Sequence, residues 1–250
     1  MIISVINLTE GAIPDEDLQA AIRAVNRQLR EDFEPHWQFG AELRLEGKVN
    51  RRRKWDAADM RGDAVLYVRG VCHIRDAEGF HDQLFHGVPY GVVYLELSKE
   101  LKEDWTVTLS HEALELVADP QVNLLVAGPH PRQPKHRVFH WLEVCDAVQN
   151  ESYLIDGVFV SNFVLPLYYT ATAELGSRND FLGTQVKGRT LPSFGVNPGG
   201  YIGFFDPRKG RHGDDDTFER EDDPAALRRL AIKRKFGTGR GNLRRRRQSR

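Results

Sequence analysis

One predicted helix constrains this chain more than any other segment, because it carries two possible metal ligands one turn apart. The sequence predicts a helix over about 105–118, which the pair Asp119-Pro120 ends. Proline cannot continue a helix, and it biases the preceding residue away from helical geometry. His111 and Glu115 are four residues apart, so both side chains are expected on one face of this helix.

The spacing of His111 and Glu115 is that of a chelating pair. The H-E-x-x-H motif of zinc peptidases places two histidines at this spacing, and here Glu115 stands in place of the second one. Glu112 occupies the position of the general base, which would take a proton from a water molecule acidified by the ion. The alternative interpretation is a solvated acidic helix face with an incidental histidine.

A catalytic zinc site usually takes three protein ligands and one water molecule, so a third ligand is required. Asp119 lies eight residues beyond His111, about 12 Å along a straight helix, which favours a role at the helix end instead. Glu143 follows Glu115 by 28 residues and is our predicted third ligand. Cys145, His136 and His140 remain alternatives, although a buried cysteine more often acts as a small hydrophobic residue.

The metal and the supporting side chains follow from this ligand set. We expect Zn²⁺, and one histidine with two carboxylates also makes Mn²⁺ or Fe²⁺ conceivable. The other histidines are predicted to be surface or loop residues that could supply a replacement ligand: 81, 86 and 130. A tyrosine could stabilise an oxyanion, and the sequence does not select among Tyr168, Tyr169 and Tyr201.

The first half of the chain reads as alternating strands and helices. Strands are predicted for residues 2–6, 37–45, 64–68 and 90–97, and an amphipathic helix for residues 14–32. This gives strand, helix, three strands and the helix with His111. The second half is looser: a loop over 130–140, a hairpin that turns at Asp156-Gly157, and a strand over 201–205. The fold class expected is α+β.

Three sequence runs resemble a family of zincin-like bacterial and phage proteins. They are SHEALELVADP, LEVCDAV and DGVFVSNFVLP, and the similarity covers most of residues 1–205. The resemblance implies a zincin-type fold of the metzincin order and the activity of a metallopeptidase. It also implies that the strand before the active-site helix, Tyr90–Leu95, is an edge strand that binds extended substrate. The H-E-x-x-E variant departs from the usual zincin motif.

The charge distribution divides the chain into an acidic body and a basic appendage. The formal net charge is −1, yet the segment 226–250 holds 11 Lys and Arg and no acidic residue. Without them the chain keeps 24 of its 35 basic residues against 36 acidic ones, seven of which lie at 214–223. We predict one domain over 1–208 and a flexible charged tail over 209–250.

The functional expectation is a metal-dependent peptidase that acts on a peptide or protein substrate. The alternative is an inactive zincin scaffold whose basic tail contacts a protein partner or nucleic acid. The chain has no apolar run of roughly 20 residues and no basic, apolar leader, so we expect neither membrane insertion nor secretion. Two widely separated cysteines, Cys72 and Cys145, fit the cytoplasm.

Overall fold

The computed structural model describes most of the chain and divides it into two compact units. The described residues are 1–46, 62–71, 79–83, 87–170, 177–212 and 215–220. Unit 1 comprises Met1–His73, Glu78–Val122 and Tyr153–Ser161, and unit 2 comprises Ile74–Ala77, Asn123–Ser152 and Asn162–Arg250. The sequence-based division into one domain over 1–208 and a charged tail over 209–250 stays a prediction.

Strands and helices alternate in the first half of the chain, and strands dominate the second half. The strands are β1 (Ile2–Leu8), β2 (Glu42–Leu45), β3 (Ala64–Arg69), β4 (Gly79–Gln83), β5 (Pro89–Tyr94), β6 (Leu125–His130), β7 (Gln133–Trp141), β8 (Ser152–Ile155), β9 (Val158–Ser161), β10 (Tyr201–Phe205) and β11 (Asp215–Glu219). The α-helices are α1 (Asp15–Gln28), α2 (Glu34–Trp37), α3 (Leu95–Leu101) and α4 (Trp105–Ala118). The expected α+β class is confirmed.

Unit 1 is built on a five-stranded sheet of order β2-β1-β3-β5-β4. Four of its strands are parallel, and β4 runs antiparallel to β5. The parallel strands read as apolar runs because they are buried: Ile3, Val5, Val65, Leu66 and Val93 are all fully inaccessible. Helix α4 packs on β4, β5 and β9, which places the predicted ligands beside the β4 end of the sheet.

Helix α1 begins as its sequence predicts. Pro14 is extended and precedes three acidic residues in the first turn, and Leu18, Ile22 and Val25 form the buried face. The helix then continues through a π-helical turn, Leu29–Phe33, into α2.

The strand expected over residues 37–45 is shorter than predicted. Trp37 instead ends α2, Gln38 adopts a left-handed conformation, and β2 covers only Glu42–Leu45. Trp37 and Phe39 stack around Phe33, so tertiary packing explains aromatic residues that the alternating pattern assigned to a strand.

The order around β5 differs from the prediction in two respects. Among the described residues, four strands and not three separate α1 from α4, because β4 forms from the sequence Gly79–Gln83, and the short helix α3 follows β5. The strand predicted to reach residue 97 ends at Tyr94, where β-branched residues give way to Leu, Glu and Lys, which favour a helix. The predicted edge strand is wrong: β5 lies between β3 and β4, and the edge strands among the described residues are β2 and β4.

Unit 2 contains a four-stranded antiparallel sheet of order β11-β10-β7-β6. Short 3₁₀ helices accompany it: Asp146–Val148, Pro166–Tyr169 and Pro207–His212. The loop predicted over 130–140 is wrong, because this segment forms the end of β6 and most of β7, with a bulge at Pro129/His130. Residues 215–219, predicted to belong to a flexible tail, form β11 and pair with β10. The basic segment 226–250 lies outside the described residues.

The hairpin β8–β9 turns where the sequence predicts. Asp156 and Gly157 both have positive φ, 51° and 82°, as a two-residue type I′ turn requires. The hairpin brings β9 onto helices α1 and α4 within unit 1.

A buried hydrogen-bond network joins α1, α4 and β9 in unit 1. The Ser110 hydroxyl donates to Gln28 Oε1 (2.6 Å), and the Ser161 amide donates to Ser110 Oγ (3.0 Å). Gln28 Nε2 in turn donates to the Ser161 carbonyl oxygen (2.8 Å) and the Tyr153 hydroxyl (3.1 Å). Ser110 and Ser161 come from two of the three sequence runs that carry the family resemblance. Their shared role is therefore to hold α4 in place.

Gln28→Ala is predicted to destabilise unit 1 by about 2–4 kcal/mol, because it removes the buried hydrogen bonds that Gln28 makes with the Ser110 hydroxyl and the Ser161 carbonyl oxygen. Urea unfolding measures the change. Gln19→Ala is the matched control, since Gln19 lies on the exposed face of the same helix and should change stability by no more than about 0.5 kcal/mol. Equal effects of the two substitutions would contradict this role for the network.

Candidate metal centre

Helix α4 holds the predicted ligands in a buried position. Its first turn is capped by Asp104, whose carboxylate accepts a hydrogen bond from the Thr106 amide (3.1 Å). His111, Glu112 and Glu115 are 7%, 1% and 0% exposed. The interpretation of this helix as a solvated acidic face is therefore wrong.

His111 and Glu115 are brought together as the spacing predicts. His111 Nε2 lies 3.2 Å from Glu115 Oε1. Two ligand atoms bound to one tetrahedral zinc ion at the usual bond lengths are about 3.3 Å apart. The separation of these two atoms thus fits two ligands of a common ion.

His81, which the sequence offered only as a surface or loop residue and possible replacement ligand, is instead a buried member of the cluster. It lies on β4, and its Nδ1 is 3.5 Å from Glu115 Oε2 and 3.7 Å from Glu112 Oε2. Each oxygen of the Glu115 carboxylate thus has a histidine nitrogen close to it. The sequence offered little signal for this residue, because the segment Gly79–Gln83 shows no clear strand pattern and reads as a loop.

Strand β4 approaches α4 so closely that a side chain at Gly79 would not fit. A Cβ atom at that position would lie 2.5 Å from Glu112 Cγ and 2.6 Å from its Oε1. Gly79 and His81 are two residues apart on the strand, so they face the same side. Gly79 therefore lets the strand come close enough for His81 to reach the carboxylates.

The electrostatics of the cluster call for a positive charge. An ionised carboxylate removed from water is costly unless a cation or hydrogen-bond donors compensate it. Glu112 and Glu115 are both buried, and His81 and His111 are among the groups that approach them. Protonated histidines or a bound metal ion would supply the charge, and the metal would use the neutral imidazoles as ligands.

Asp119 has the helix-end role that its position predicts. Its amide donates to the Glu115 carbonyl oxygen (2.8 Å), and its own carbonyl accepts from the Val122 amide (3.0 Å). Asp119 is thus the C-terminal cap of α4.

The predicted third ligand, Glu143, belongs to unit 2, as do the alternatives Cys145, His136 and His140. The Glu143 carbonyl accepts a hydrogen bond from the Tyr169 hydroxyl (3.0 Å). The Cys145 thiol is fully buried, and His136 is exposed on β7. Glu143 as a ligand stays a prediction.

His140 lies in a small pocket of unit 2 with Glu143, Asp146, Tyr168 and Tyr169. Its Nε2 is 2.9 Å from the Pro129 carbonyl oxygen, to which this nitrogen donates in the neutral tautomer that the contact favours. Burial lowers the pKa of His140 from 6.5 to about 4.

Two of the three tyrosine hydroxyls considered for an oxyanion role, those of Tyr168 and Tyr169, donate to backbone carbonyl groups. Tyr168 donates to the Gly195 carbonyl oxygen (2.8 Å), and burial raises the pKa of Tyr168 well above its usual range. Tyr169 donates to Glu143, and Tyr201 is half-buried on β10. The oxyanion role stays unassigned.

Comparison with known proteins gives no match, so the class of this protein is described from its fold and its site. No protein-family model, no curated protein and no solved structure matches this chain. None of the helices in the described part of the chain has the length and apolar character that a membrane crossing needs. Fold and site together define a mixed α+β protein with a buried cluster of two histidines and two glutamates.

Gly79→Ala is predicted to displace the Glu112 side chain and to cost about 1–3 kcal/mol of stability through overpacking. Urea unfolding and a crystal structure of the variant test this. Gly70→Ala is the control, because its added Cβ would meet nothing closer than the Thr9 carbonyl oxygen at 3.7 Å. An unmoved Glu112 in a fully stable variant would contradict the close approach of β4.

The lowered pKa of His140 predicts that the stability of the folded protein falls as the pH falls. Above pH 6.5 the imidazole is neutral in both states; between pH 6.5 and about 4 only the unfolded chain binds the proton. Stability should therefore fall as the pH falls through this window, by about 3 kcal/mol in total. The measurement is urea unfolding at several pH values, compared with His140→Gln, which should lose this component. His136→Gln should keep it.

Proposed function

We propose that this protein is a metal-dependent peptidase with a zincin-like fold in unit 1. The observation that carries the proposal is the fully buried Glu115 carboxylate, which has His111 Nε2 at 3.2 Å and His81 Nδ1 at 3.5 Å. Nitrogen and oxygen atoms at these separations suit a divalent ion. Such an ion would also remove the cost of the buried negative charge.

His111 and Glu115 would hold the ion, with a third ligand to complete the set. Glu143 is the ligand predicted from the sequence, and His81 is the candidate that the geometry of unit 1 adds. A second histidine would favour Zn²⁺, whereas a second carboxylate would widen the choice to Mn²⁺ or Fe²⁺. The metal ion that the protein binds most tightly would therefore help to distinguish His81 from Glu143 as the third ligand.

The chemistry proposed is hydrolysis of a peptide bond. A bound zinc ion lowers the pKa of a coordinated water molecule to about 7 and polarises a carbonyl group. Glu112 would accept the proton of the water molecule and pass it to the leaving amine. Gly79 and β4 hold the Glu112 side chain in position, since its Cγ and Oε1 lie directly against that strand.

The order of elements supports the zincin-like assignment. Unit 1 runs from β1 through α1 to β2, β3 and β5 and then to α4, as the resemblance implies, with β4 and α3 added. The H-E-x-x-E segment lies on α4 at the predicted place. In a zincin-like fold, the edge strand that binds substrate would then be β4 and not β5.

The decisive variant is Glu112→Gln, which removes the base and keeps the side-chain shape. It should retain the metal content of the wild type and lose about 10²- to 10⁴-fold of the peptide-cleavage rate. The bound metal is measured by elemental analysis. The cleavage rate is measured with an unfolded protein as the substrate. A fully active Glu112→Gln protein would refute the proposed role.

Removal of ligands should separate metal binding from catalysis. His111→Ala and Glu115→Ala should each lose bound metal, and comparison of His81→Ala with Glu143→Ala should identify the third ligand by the larger loss of affinity. His136→Ala, on the exposed part of β7, is the control. Wild-type protein that holds no metal, and regains none on reconstitution, would favour the alternative of an inactive scaffold that binds a partner.

A further inference from the structure

The hydrogen bonds of Gln28 continue through two further side chains to the surface of unit 1. The Tyr153 hydroxyl, which accepts from Gln28 Nε2 (3.1 Å), donates to Asp32 Oδ2 (2.7 Å). Asp32 and Tyr153 are half-buried, whereas Gln28 and Ser110 have no exposed surface. A connected row of four side chains therefore leads from solvent to helix α4. We call it the Gln28 network: Asp32, Tyr153, Gln28 and Ser110.

A π-helical turn carries the outermost member of this network. Gln28 is the last residue of α1, and Asp32 lies four residues further on, within the turn Leu29–Phe33. Residues four apart on a helix share a face, so both side chains reach Tyr153 on β8. Single π-helical turns occur frequently at functional sites. This turn therefore invites the question of what its contact with Tyr153 does.

Every bond in the Gln28 network runs in one direction, and both ends of the network impose that direction. A carboxylate only accepts, so the Tyr153 hydroxyl donates to Asp32 and offers a lone pair to Gln28. At the other end, the Ser161 amide donates to Ser110 Oγ (3.0 Å), and the Ser161 carbonyl oxygen accepts from Gln28 Nε2 (2.8 Å). The Ser110 hydroxyl is left to donate to Gln28 Oε1 (2.6 Å). One orientation of the Gln28 amide satisfies all these partners.

Tyr153 supplies the last acceptor of an amide that water does not reach. Gln28 Nε2 has two hydrogens, of which one is donated to the Ser161 carbonyl oxygen and the other to the Tyr153 hydroxyl. Without that hydroxyl, one N–H group of a fully buried side chain would lack its acceptor. A buried donor without a partner is costly, so the amide would shift toward another acceptor. The bond between Gln28 and Ser110 therefore depends on Tyr153.

Helix α4 is attached to β9 at two points one turn apart, and the Gln28 network stabilises one of them. Ser110 Oγ accepts from the backbone of β9, and Thr106 Oγ1 donates to the Phe159 carbonyl oxygen of the same strand (2.7 Å). Thr106 and Ser110 are four residues apart and share a face of the helix. Two attachments on one face fix the rotation of α4 about its axis. Since His111 follows Ser110 directly, the same attachments set its direction.

We infer that Tyr153 and Asp32 are positioning residues of the metal centre proposed for unit 1. They hold the Gln28 amide in the orientation that accepts from Ser110, and Ser110 holds α4 in the rotation that turns His111 toward β4. Side chains that orient ligands without touching the ion commonly change metal affinity when they are altered. The inference rests on the proposed metal site and adds to it two side chains outside the cluster.

The test is a double-mutant cycle on the full chain, with Zn²⁺ affinity measured by competition with a chromophoric chelator. Tyr153→Phe keeps the ring and removes only the hydroxyl, so it should weaken Zn²⁺ binding about 2- to 10-fold, the worth of one hydrogen bond. Ser110→Ala should also weaken Zn²⁺ binding. Tyr153→Phe should have no further effect in the Ser110→Ala protein, because the connection to α4 is then already broken. Independent effects on structure would instead add.

Three further variants test the carboxylate and the specificity of the effect. Asp32→Ala leaves the Tyr153 hydroxyl with water as its acceptor and should weaken Zn²⁺ binding, although less than Tyr153→Phe. Asp32→Asn should bind as the wild type, because its Oδ1 can accept the same bond. Tyr67→Phe is the matched control, since it removes the hydroxyl of a half-buried tyrosine on β3 and should leave the affinity unchanged. Urea unfolding of each variant verifies that it is folded.

The possible results separate this inference from the proposed function. Wild-type protein that binds no Zn²⁺ would refute the proposed metal site and this inference with it. Wild-type protein that binds Zn²⁺, with an affinity that Tyr153→Phe leaves unchanged, would overturn the inference alone. Additive effects of Tyr153→Phe and Ser110→Ala would also overturn it, because Tyr153 would then act by a route that does not pass through Ser110.

Discussion

The burial of the Glu115 carboxylate is the constraint on which unit 1 depends. This side chain has no exposed surface, and ionised carboxylates tolerate such a position only with compensating positive charge or hydrogen bonds. Histidine nitrogens therefore approach it from two elements, α4 and β4. The same requirement explains why β4 must come close to α4 and why residue 79, directly against Glu112, is a glycine. In the proposed metal site, ion binding and the stability of unit 1 would depend on the same carboxylate.

A second set of buried polar contacts holds the helix that carries the cluster. Gln28 and Ser110 connect α1 and α4, and Ser161 ties both to β9, which fixes α4 from the side through backbone and side-chain hydrogen bonds. Ser110 and Ser161 have no chemical role in the proposed site but would still matter for it. His111 and Glu115 can share an ion with a residue of β4 only if α4 is held in a fixed position beside that strand. Preorganisation of this kind is what distinguishes a metal site from a chance pair of ligands.

Unit 2 raises a separate question, because its sheet has a buried side and an outer face that remains aromatic. Antiparallel sheets often expose one side to water, and that side is usually polar. Here exposed or half-buried aromatic rings occupy it, among them Phe139, Trp141 and Phe205.

Local sequence determined the boundaries of α4, the start of α1, the turn at Asp156-Gly157 and the pairing of His111 with Glu115, because caps, turn residues and helical spacing act over a few residues. Only the tertiary structure brought His81 to the cluster, placed β5 inside the sheet and turned the segment 130–140 into strands. Those outcomes depend on which strands pair and how closely elements pack, and contacts between distant residues leave no periodic signal in a single sequence.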